Sequence, residues 1–181
     1  TSGDFGAIES GFNDRNCHNV AIDRNRSHTN NKKVYVDGVM TLEKTATTGY
    51  ANHSSNIAFG KYINWGDAMY FNGHLDEIRI SNNARYTSNF TPQTTKFTSD
   101  ANTKLLIHSD STSESILVDS SSYSRPITLV GSPTQSTAQK KFGDTSVLLE
   151  SNNGTSNHIW IPDRDDYDFG KEYFTIETWA Y

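Results

Sequence analysis

The sequence predicts an all-β fold built as a two-sheet antiparallel sandwich, and three observations predict it. Apolar and polar residues alternate over short runs, which is typical of strands with one face in water. Asn, Asp and Gly residues separate these runs at turn positions. Hydrophobic residues make up only 34% of the chain while aromatic residues reach 12%. A length of 181 residues suffices for one such sandwich and is short for two.

Composition argues against several classes of partner and site. The formal net charge of −5 argues against a nucleic-acid partner, because no basic patch is available to displace counterions from phosphates. No run of about eighteen apolar residues occurs, which argues against membrane insertion. Cys17 is the single cysteine, so neither an intrachain disulfide nor a cysteine-based metal site is expected. Because the first ten residues lack an initiator Met and the order of a signal peptide, we expect part of a longer polypeptide.

Strands are predicted in the first part of the chain at residues 19–23, 33–36, 39–42 and 56–62. Asp37-Gly38, between the second and the third of them, is a strong hairpin signal. Gly60, within the fourth, indicates a bulge or a close approach of another segment. Residues 63–69 are predicted to form a loop that leads to the next strand.

Residues 75–80 form the strand around which the rest of the chain is organised. Alternation divides its side chains between two faces, with Asp76, Ile78 and Ile80 on one and Leu75, Glu77 and Arg79 on the other. Asn72-Gly73 supplies a turn before the strand, and a polar run follows it. We therefore expect a half-buried strand with Asp76 at the rim of its core side.

This strand and its continuation resemble the last core strand and exit segment of laminin G-like domains in the concanavalin A-like lectin/glucanase superfamily. The resemblance rests on YFNGHLDEIRI at 70–80, ARY at 84–86 and NFTP at 89–92. HNVAIDR at 18–24 and VYVDGV at 34–39 are similar to an earlier strand and hairpin of the same family, with one Asn inserted after the His. The resemblance implies a jelly-roll sandwich of the concanavalin A type.

Beyond residue 103 the chain is similar to the opening of a laminin G-like domain. The motifs that carry this similarity are KLLIHSD at 104–110, DSSS at 119–122, QKKFG at 139–143, SVLL at 146–149, HIWIPD at 158–163, YDFG at 167–170 and FTIETW at 174–179. The resemblance thus implies a closing half at 1–97, a linker at 98–103 and an opening half at 104–181.

This reversed order of halves leaves three arrangements open. The chain is a fragment of a tandem array, a circularly permuted sandwich whose two halves close on each other, or a subunit whose halves complete those of neighbouring chains. Half a sandwich exposes an apolar sheet face and unpaired edges, so each half needs a complement. Self-association or contact with neighbouring repeats of the same polypeptide is therefore expected.

The carboxylates do not predict an enzyme. Laminarinase-type hydrolases of the same superfamily place alternating carboxylates on one strand, so that two of them face one sugar bond. Asp76 and Glu77 are adjacent and are therefore predicted to lie on opposite faces, where they cannot act as a pair. The six histidines show no zinc-binding spacing. We expect a protein without catalytic activity.

A structural calcium ion is the cofactor that the resemblance implies. In many laminin G-like and pentraxin-like relatives an Asp at the position of Asp76, with carboxylates near the opening strand, binds calcium. Asp76, Asp110 and Asp119 are the candidate ligands on this basis. In the alternative interpretation Asp76 accepts backbone hydrogen bonds or pairs with an arginine, and the aspartates at 163–168 form a solvated turn.

The ligand that we predict is a glycan. An aromatic platform beside polar groups is the usual requirement, and Tyr62, Trp65 and Tyr70 are the candidates. The alternative is that these rings fill the sandwich core or its rim. The repeats that this chain resembles are found in phage virion and microbial surface proteins. We therefore predict an extracellular, virion or cell-surface module for adhesion or glycan binding, or alternatively a self-assembling subunit of a filament or capsid without a ligand.

Overall fold

The computed structural model describes residues 14–27, 31–45, 56–64, 67–110, 117–150, 156–170 and 172–181. One short 3₁₀ helix spans Asp165–Tyr167. The strands are β1 His18–Arg24, β2 Lys32–Val36, β3 Val39–Lys44, β4 Ile57–Phe59, β5 Lys61–Asn64, β6 Asp67–Tyr70, β7 Gly73–Ser81, β8 Thr103–Ile107, β9 Thr128–Val130, β10 Thr134–Ser136, β11 Ser146–Leu149, β12 His158–Ile161 and β13 Phe174–Ala180. None of the helical segments in these ranges is long and apolar enough to span a bilayer.

The strands form an antiparallel sandwich, which confirms the predicted fold class. An eight-stranded sheet runs in the order β10-β11-β7-β13-β1-β2-β3, and β8 also pairs with β7. A three-stranded sheet runs β4-β12-β9, and β5 and β6 form a separate two-stranded hairpin. One edge of β7 pairs with β13 along most of its length, and its other edge is shared by β11 and β8.

Strands from both sides of residues 98–103 alternate within the large sheet. The strand β13 lies between β7 and β1, so that a late strand separates two early ones. In this register Ile176 stands opposite Ile80 on one side and opposite Ile22 on the other. The two halves that the sequence delimits therefore share one hydrogen-bonded sheet.

The main apolar core lies between the large sheet and the three-stranded sheet. Ile78 and Ile80 of β7 pack there in one cluster with Ile107 of β8. Ile159 and Ile161, on alternate positions of β12, supply the opposing face. These five side chains are fully or almost fully buried. Since β-branched residues fit a pleated surface, this composition agrees with the strand pattern in the sequence.

The predicted strand at 56–62 is divided at Gly60 into β4 and β5. Gly60 has φ +90, and a Cβ there would lie 2.4 Å from Cδ1 of Leu149. The close approach predicted at this glycine is therefore confirmed. The predicted loop at 63–69 was wrong in part, because Asp67–Tyr70 forms β6 and pairs with β5.

A β-bulge in β7 reverses the alternation predicted for its first residues. Glu77 has φ +51, and the register with β13 shifts between Glu177 and Trp179. Leu75 therefore packs in the main core, whereas Asp76 lies on the other face, where it accepts hydrogen bonds from a loop. The prediction that Asp76 shares a face with Ile78 was wrong, because an extra residue in one strand shifts every preceding side chain to the opposite face.

The segment that follows β7 packs on this second face of the large sheet. Phe97 is buried, its ring lies 4.3 Å from the Arg79 guanidinium carbon, and its backbone N–H donates to Glu77 Oε2 at 2.7 Å. Arg79 also donates to the Thr98 carbonyl at 3.2 Å, and Arg85 holds Asp100 through two 3.0 Å hydrogen bonds. The polar residues predicted as a linker are thus attached to the sheet along their length.

Gly38 gives a direct test of this packing. It has φ +77, and a Cβ would lie 1.8 Å from the Phe90 carbonyl oxygen. We expect Gly38→Ala to lower the free energy of unfolding by more than about 2 kcal/mol, because the covering segment must move and the backbone is strained. Gly170→Ala is the matched control, since Gly170 has φ +50 and open space around it. Urea titration measures both, and equal losses would contradict the close approach.

Candidate functional site

A groove of about 710 Å³ lies at one end of the sandwich. It separates the loop that precedes β9 from the turn that follows β12. Its walls are Tyr123, Ser124, Arg125 and Pro126 on one side, and Asp163, Arg164, Asp165 and Asp166 on the other. Polar side chains from two distant parts of the chain therefore converge on one concave surface.

Asp119 shapes the first wall. Its Oδ1 accepts hydrogen bonds from the backbone N–H of Leu106 at 3.0 Å and of Ser121 at 2.9 Å. Its Oδ2 accepts from the Ser121 hydroxyl at 2.8 Å and from the Arg125 N–H at 2.9 Å. A buried carboxylate must be compensated by such donors. Asp119 therefore fixes the loop to β8 and determines where Tyr123 and Arg125 project.

Arg125 joins the two walls. Its guanidinium carbon lies 4.3 Å from the Tyr123 ring centroid and 4.5 Å from that of Tyr167, within the range of cation–π contacts. The guanidinium donates to the Lys104 carbonyl at 2.9 Å and forms an ion pair with Asp166. A planar group held on several sides has little freedom to move. The Arg125 side chain is therefore a fixed part of the groove.

Tyr123 is the exposed aromatic residue of the site. It is 42% exposed, and its hydroxyl accepts a 2.5 Å hydrogen bond from Lys104 Nζ. This hydrogen bond lowers the pKa of the Tyr123 hydroxyl. A ring that is half in water, supported by two cations, can stack on an apolar ligand face.

The second wall supplies carboxylates. Asp163 follows β12, and its N–H donates to Asn56 Oδ1 at 2.9 Å. Asp165 and Asp166 open the 3₁₀ helix and are exposed. Carboxylate acceptors, arginine donors and one exposed ring together suit a neutral ligand that carries many hydroxyl groups and has one apolar face. A sugar has this chemistry.

The three aspartates predicted as calcium ligands lie in separate networks. Asp110 Oδ1 accepts from the Asp144 N–H at 2.7 Å and the Thr145 N–H at 3.2 Å, and Oδ2 pairs with Lys96. Burial tends to raise the pKa of Asp110, but the Lys96 ammonium and the two amides outweigh burial and lower it. Asp119 is engaged by four donors as described above.

Asp76 Oδ2 accepts from the N–H of Lys141 at 2.8 Å and of Phe142 at 3.0 Å, while its buried Oδ1 has no hydrogen-bond partner among the described residues. Burial raises the pKa of Asp76 to about 6. Within the described ranges no three His, Cys, Asp or Glu side chains are grouped so that they could hold a metal ion. Asp76, Asp110 and Asp119 therefore do not fit a jointly held calcium ion, and calcium binding stays a prediction.

The predicted aromatic platform is not brought together by the residues that the structure describes. Tyr62 is 40% exposed on β5, and Tyr70 lies on β6 with Lys61 Nζ 5.9 Å from its ring centroid. Lys61 stands opposite Tyr70 and Tyr62 opposite Met69, so the two tyrosines lie on opposite faces of the hairpin. Trp65 lies outside the described residues. Ligand binding at these positions stays a prediction.

Sequence reasoning missed Tyr123 and Arg125 as site residues. The serine-rich run at 119–122 was recognised as a family motif, but the stacking of Arg125 on Tyr167 joins positions that are distant in sequence. The signal that was available is the Asp cluster that begins at Asp163, for which a solvated turn is the alternative interpretation to calcium binding. An alternating pattern predicts which segments form strands, but it does not predict which loops come together at the ends of those strands.

The family comparison agrees with this architecture. The laminin G model of the concanavalin A-like lectin/glucanases superfamily matches residues 3–89, just under half of the chain. Residues 3–89 are therefore similar to domains of that superfamily. No curated protein and no solved structure matches the chain.

Laminin G domains, the group whose model matches residues 3–89, have properties in common. Domains of this kind are often binding or structural modules, are commonly extracellular and are generally without catalytic activity, although the wider superfamily includes glycosidases.

The bulge in β7 places Asp76 and Glu77 on the same face, which corrects the prediction that they oppose each other. Both are buried, and neither lines the groove.

Proposed function

We propose that this laminin G-like protein is a non-enzymatic module of a cell surface or virion that binds a glycan in the groove. The observation that carries this proposal is the exposed Tyr123 ring, supported by Arg125 and facing three aspartates across the groove. Such a site supplies a stacking face together with donors and acceptors for hydroxyl groups. Adhesion is the task that a surface module with this site would perform.

We further propose that the two halves form one circularly permuted sandwich. The position of β13 between β7 and β1 supports this arrangement, because each half supplies pairing partners to the other. The contacts of Phe97 and Thr98 with β7 also support it, since they hold the connecting segment against the shared sheet. A monomer by molar mass that unfolds in one cooperative transition is the expected result, and an obligatory oligomer would contradict it.

A glycan array with purified variants tests the ligand. We expect Tyr123→Ala to weaken binding about 3- to 10-fold, because the stacking face is lost. Tyr123→Phe is expected to retain most of the affinity, since it keeps the ring. Tyr62→Ala is the matched control, because it removes an equally exposed tyrosine from β5. Loss of binding in Tyr62→Ala with none in Tyr123→Ala would move the site to the hairpin.

The second candidate is a self-assembling subunit without a ligand of its own. It is supported by the edge strand β3, where Val39 is 56% and Met40 is 37% exposed. An exposed apolar edge strand can pair with another chain. Polymers visible by negative-stain microscopy, together with no binding on the array, would favour this candidate over adhesion.

A further inference from the structure

A second, smaller cavity lies at the end of β8, on the same loop as the groove. Its volume is about 140 Å³, and its lining includes His108, Ser109, Asp110 and Ser120. The loop from 117 to 126 contributes to both cavities, with its first residues in the small pocket and its last ones in the groove. The two cavities are therefore neighbours along one segment.

His108 is oriented by a buried carboxylate. Its Nδ1 lies 2.8 Å from Glu77 Oε1, and Glu77 is 0% exposed. Because a carboxylate accepts hydrogen bonds, Nδ1 carries the proton of this contact. The other ring nitrogen has no hydrogen-bond partner in the described ranges, and His108 lines the pocket. This orientation gives the pocket a fixed hydrogen-bonding group.

Ser109 supplies a second observation that indicates a ligand. Its hydroxyl is buried and has no hydrogen-bond partner within the part of the chain that the structure describes. Ser109 also has φ +57, a conformation that a serine rarely adopts. Buried polar groups in native proteins are almost always paired. Ser109 lines the pocket, so a change of its χ1 rotamer would offer this hydroxyl to a hydroxyl group of a ligand there.

The charges at the pocket compensate one another. Lys96 forms an ion pair with Asp110, and His108 pairs with Glu77. An anionic ligand would have to compete with the Asp110 carboxylate for Lys96 and with the Glu77 carboxylate for the His108 N–H, whereas a neutral hydroxyl-bearing ligand can bond to the existing pairs. The pocket therefore matches the same class of ligand as the groove.

We propose that this pocket is a second subsite for the ligand of the groove, so that the ligand is an oligosaccharide that crosses the 117–126 loop. The proposal rests on the proposed function. Ser120 in the pocket and Tyr123 in the groove are three residues apart, so their Cα atoms are separated by at most about 11 Å. A separation of this size between lining residues is within the length of a short chain of linked sugars.

An array that carries homologous oligosaccharides of graded length, from the single sugar upward, tests the proposal. Ser109→Gly removes the unpaired hydroxyl, while glycine accepts the positive φ. We expect the affinity of the wild type to rise with ligand length. We expect Ser109→Gly to weaken binding of the longer members about 2- to 10-fold and to leave the single sugar unaffected. Arg15→Gly, at another positive φ just before β1, is the control for backbone effects.

Each other outcome has a distinct meaning. Affinity independent of length, or equal binding of long ligands by Ser109→Gly and the wild type, overturns the second subsite and leaves the Tyr123 site intact. An equal loss for the single sugar and the longer members places one sugar in the small pocket and also overturns the proposal. A wild-type protein that binds no member of the array refutes the proposed function and the subsite together.

Discussion

Replacing Glu177 by alanine is expected to lower the free energy of unfolding by about 3–5 kcal/mol, because it leaves the buried Arg79 guanidinium without its carboxylate. Glu177 Oε1 accepts hydrogen bonds from Arg79 Nε and Nη2, both at 2.8 Å, and Oε2 accepts from the Tyr86 hydroxyl at 2.7 Å. Of the described residues, the Thr98 carbonyl at 3.2 Å would remain as the hydrogen-bond acceptor for the buried guanidinium. Urea denaturation measures the loss.

The double variant Arg79→Met with Glu177→Leu separates the cost of an unpaired charge from the loss of packing. Replacing both members of a buried ion pair by apolar residues of similar size is often nearly neutral, so we expect the double variant to be more stable than Glu177→Ala. Arg79 lies on β7 and Glu177 on β13, in directly paired positions. A loss below about 1 kcal/mol in Glu177→Ala would show that this contact between the two halves is not buried in solution.

Local sequence signals predicted the strands and turns that depend on local geometry. Asp37-Gly38 forms the predicted hairpin turn, in which both residues have positive φ. The alternation of Ile78 and Ile80 correctly predicted their core positions. Gly60 is placed as expected, because only a glycine permits that φ and that contact with Leu149. These features follow from the residues themselves.

Features that depend on contacts between residues distant in sequence could not be predicted from local sequence signals. No local signal indicates that Glu77 adopts φ +51, because glycine is the residue expected at such a bulge position. That one residue decides the face on which Asp76 lies. Likewise, Arg125 reaches Tyr167 and Asp166 only after the sheets have formed. The groove is therefore a product of tertiary structure, although its aspartates are conspicuous in the sequence.

Asp23 is expected to make the stability of the protein fall as the pH rises from 5 to 8. Burial raises the pKa of its carboxyl group to about 7, although the Tyr86 N–H and the Thr175 hydroxyl donate to its Oδ2 at 3.0 Å each. Within the described part of the chain its buried Oδ1 has no hydrogen-bond partner, so the carboxylate is incompletely compensated there. Since the ordinary pKa of an aspartate is 3.8 and applies to the unfolded chain, only the folded state holds the proton between pH 3.8 and about pH 7.

The direction of this pH dependence of stability follows from the number of protons that the folded and the unfolded states bind. Where the folded state binds more protons than the unfolded state, stability decreases with increasing pH, and the decrease ends above the folded pKa. For Asp23 this amounts to about 3 kcal/mol between pH 5 and pH 8.

Asp23→Asn cannot ionise and keeps an acceptor for Tyr86 and Thr175, so its stability relative to the wild type should increase by this amount over the same range. Asp168→Asn, at an exposed position, is the control. Because the half-buried His74 has a lowered pKa and acts in the opposite direction, the difference between Asp23→Asn and the wild type is the quantity to measure. A difference that stays constant from pH 5 to pH 8 would mean that Asp23 is already ionised in the folded protein.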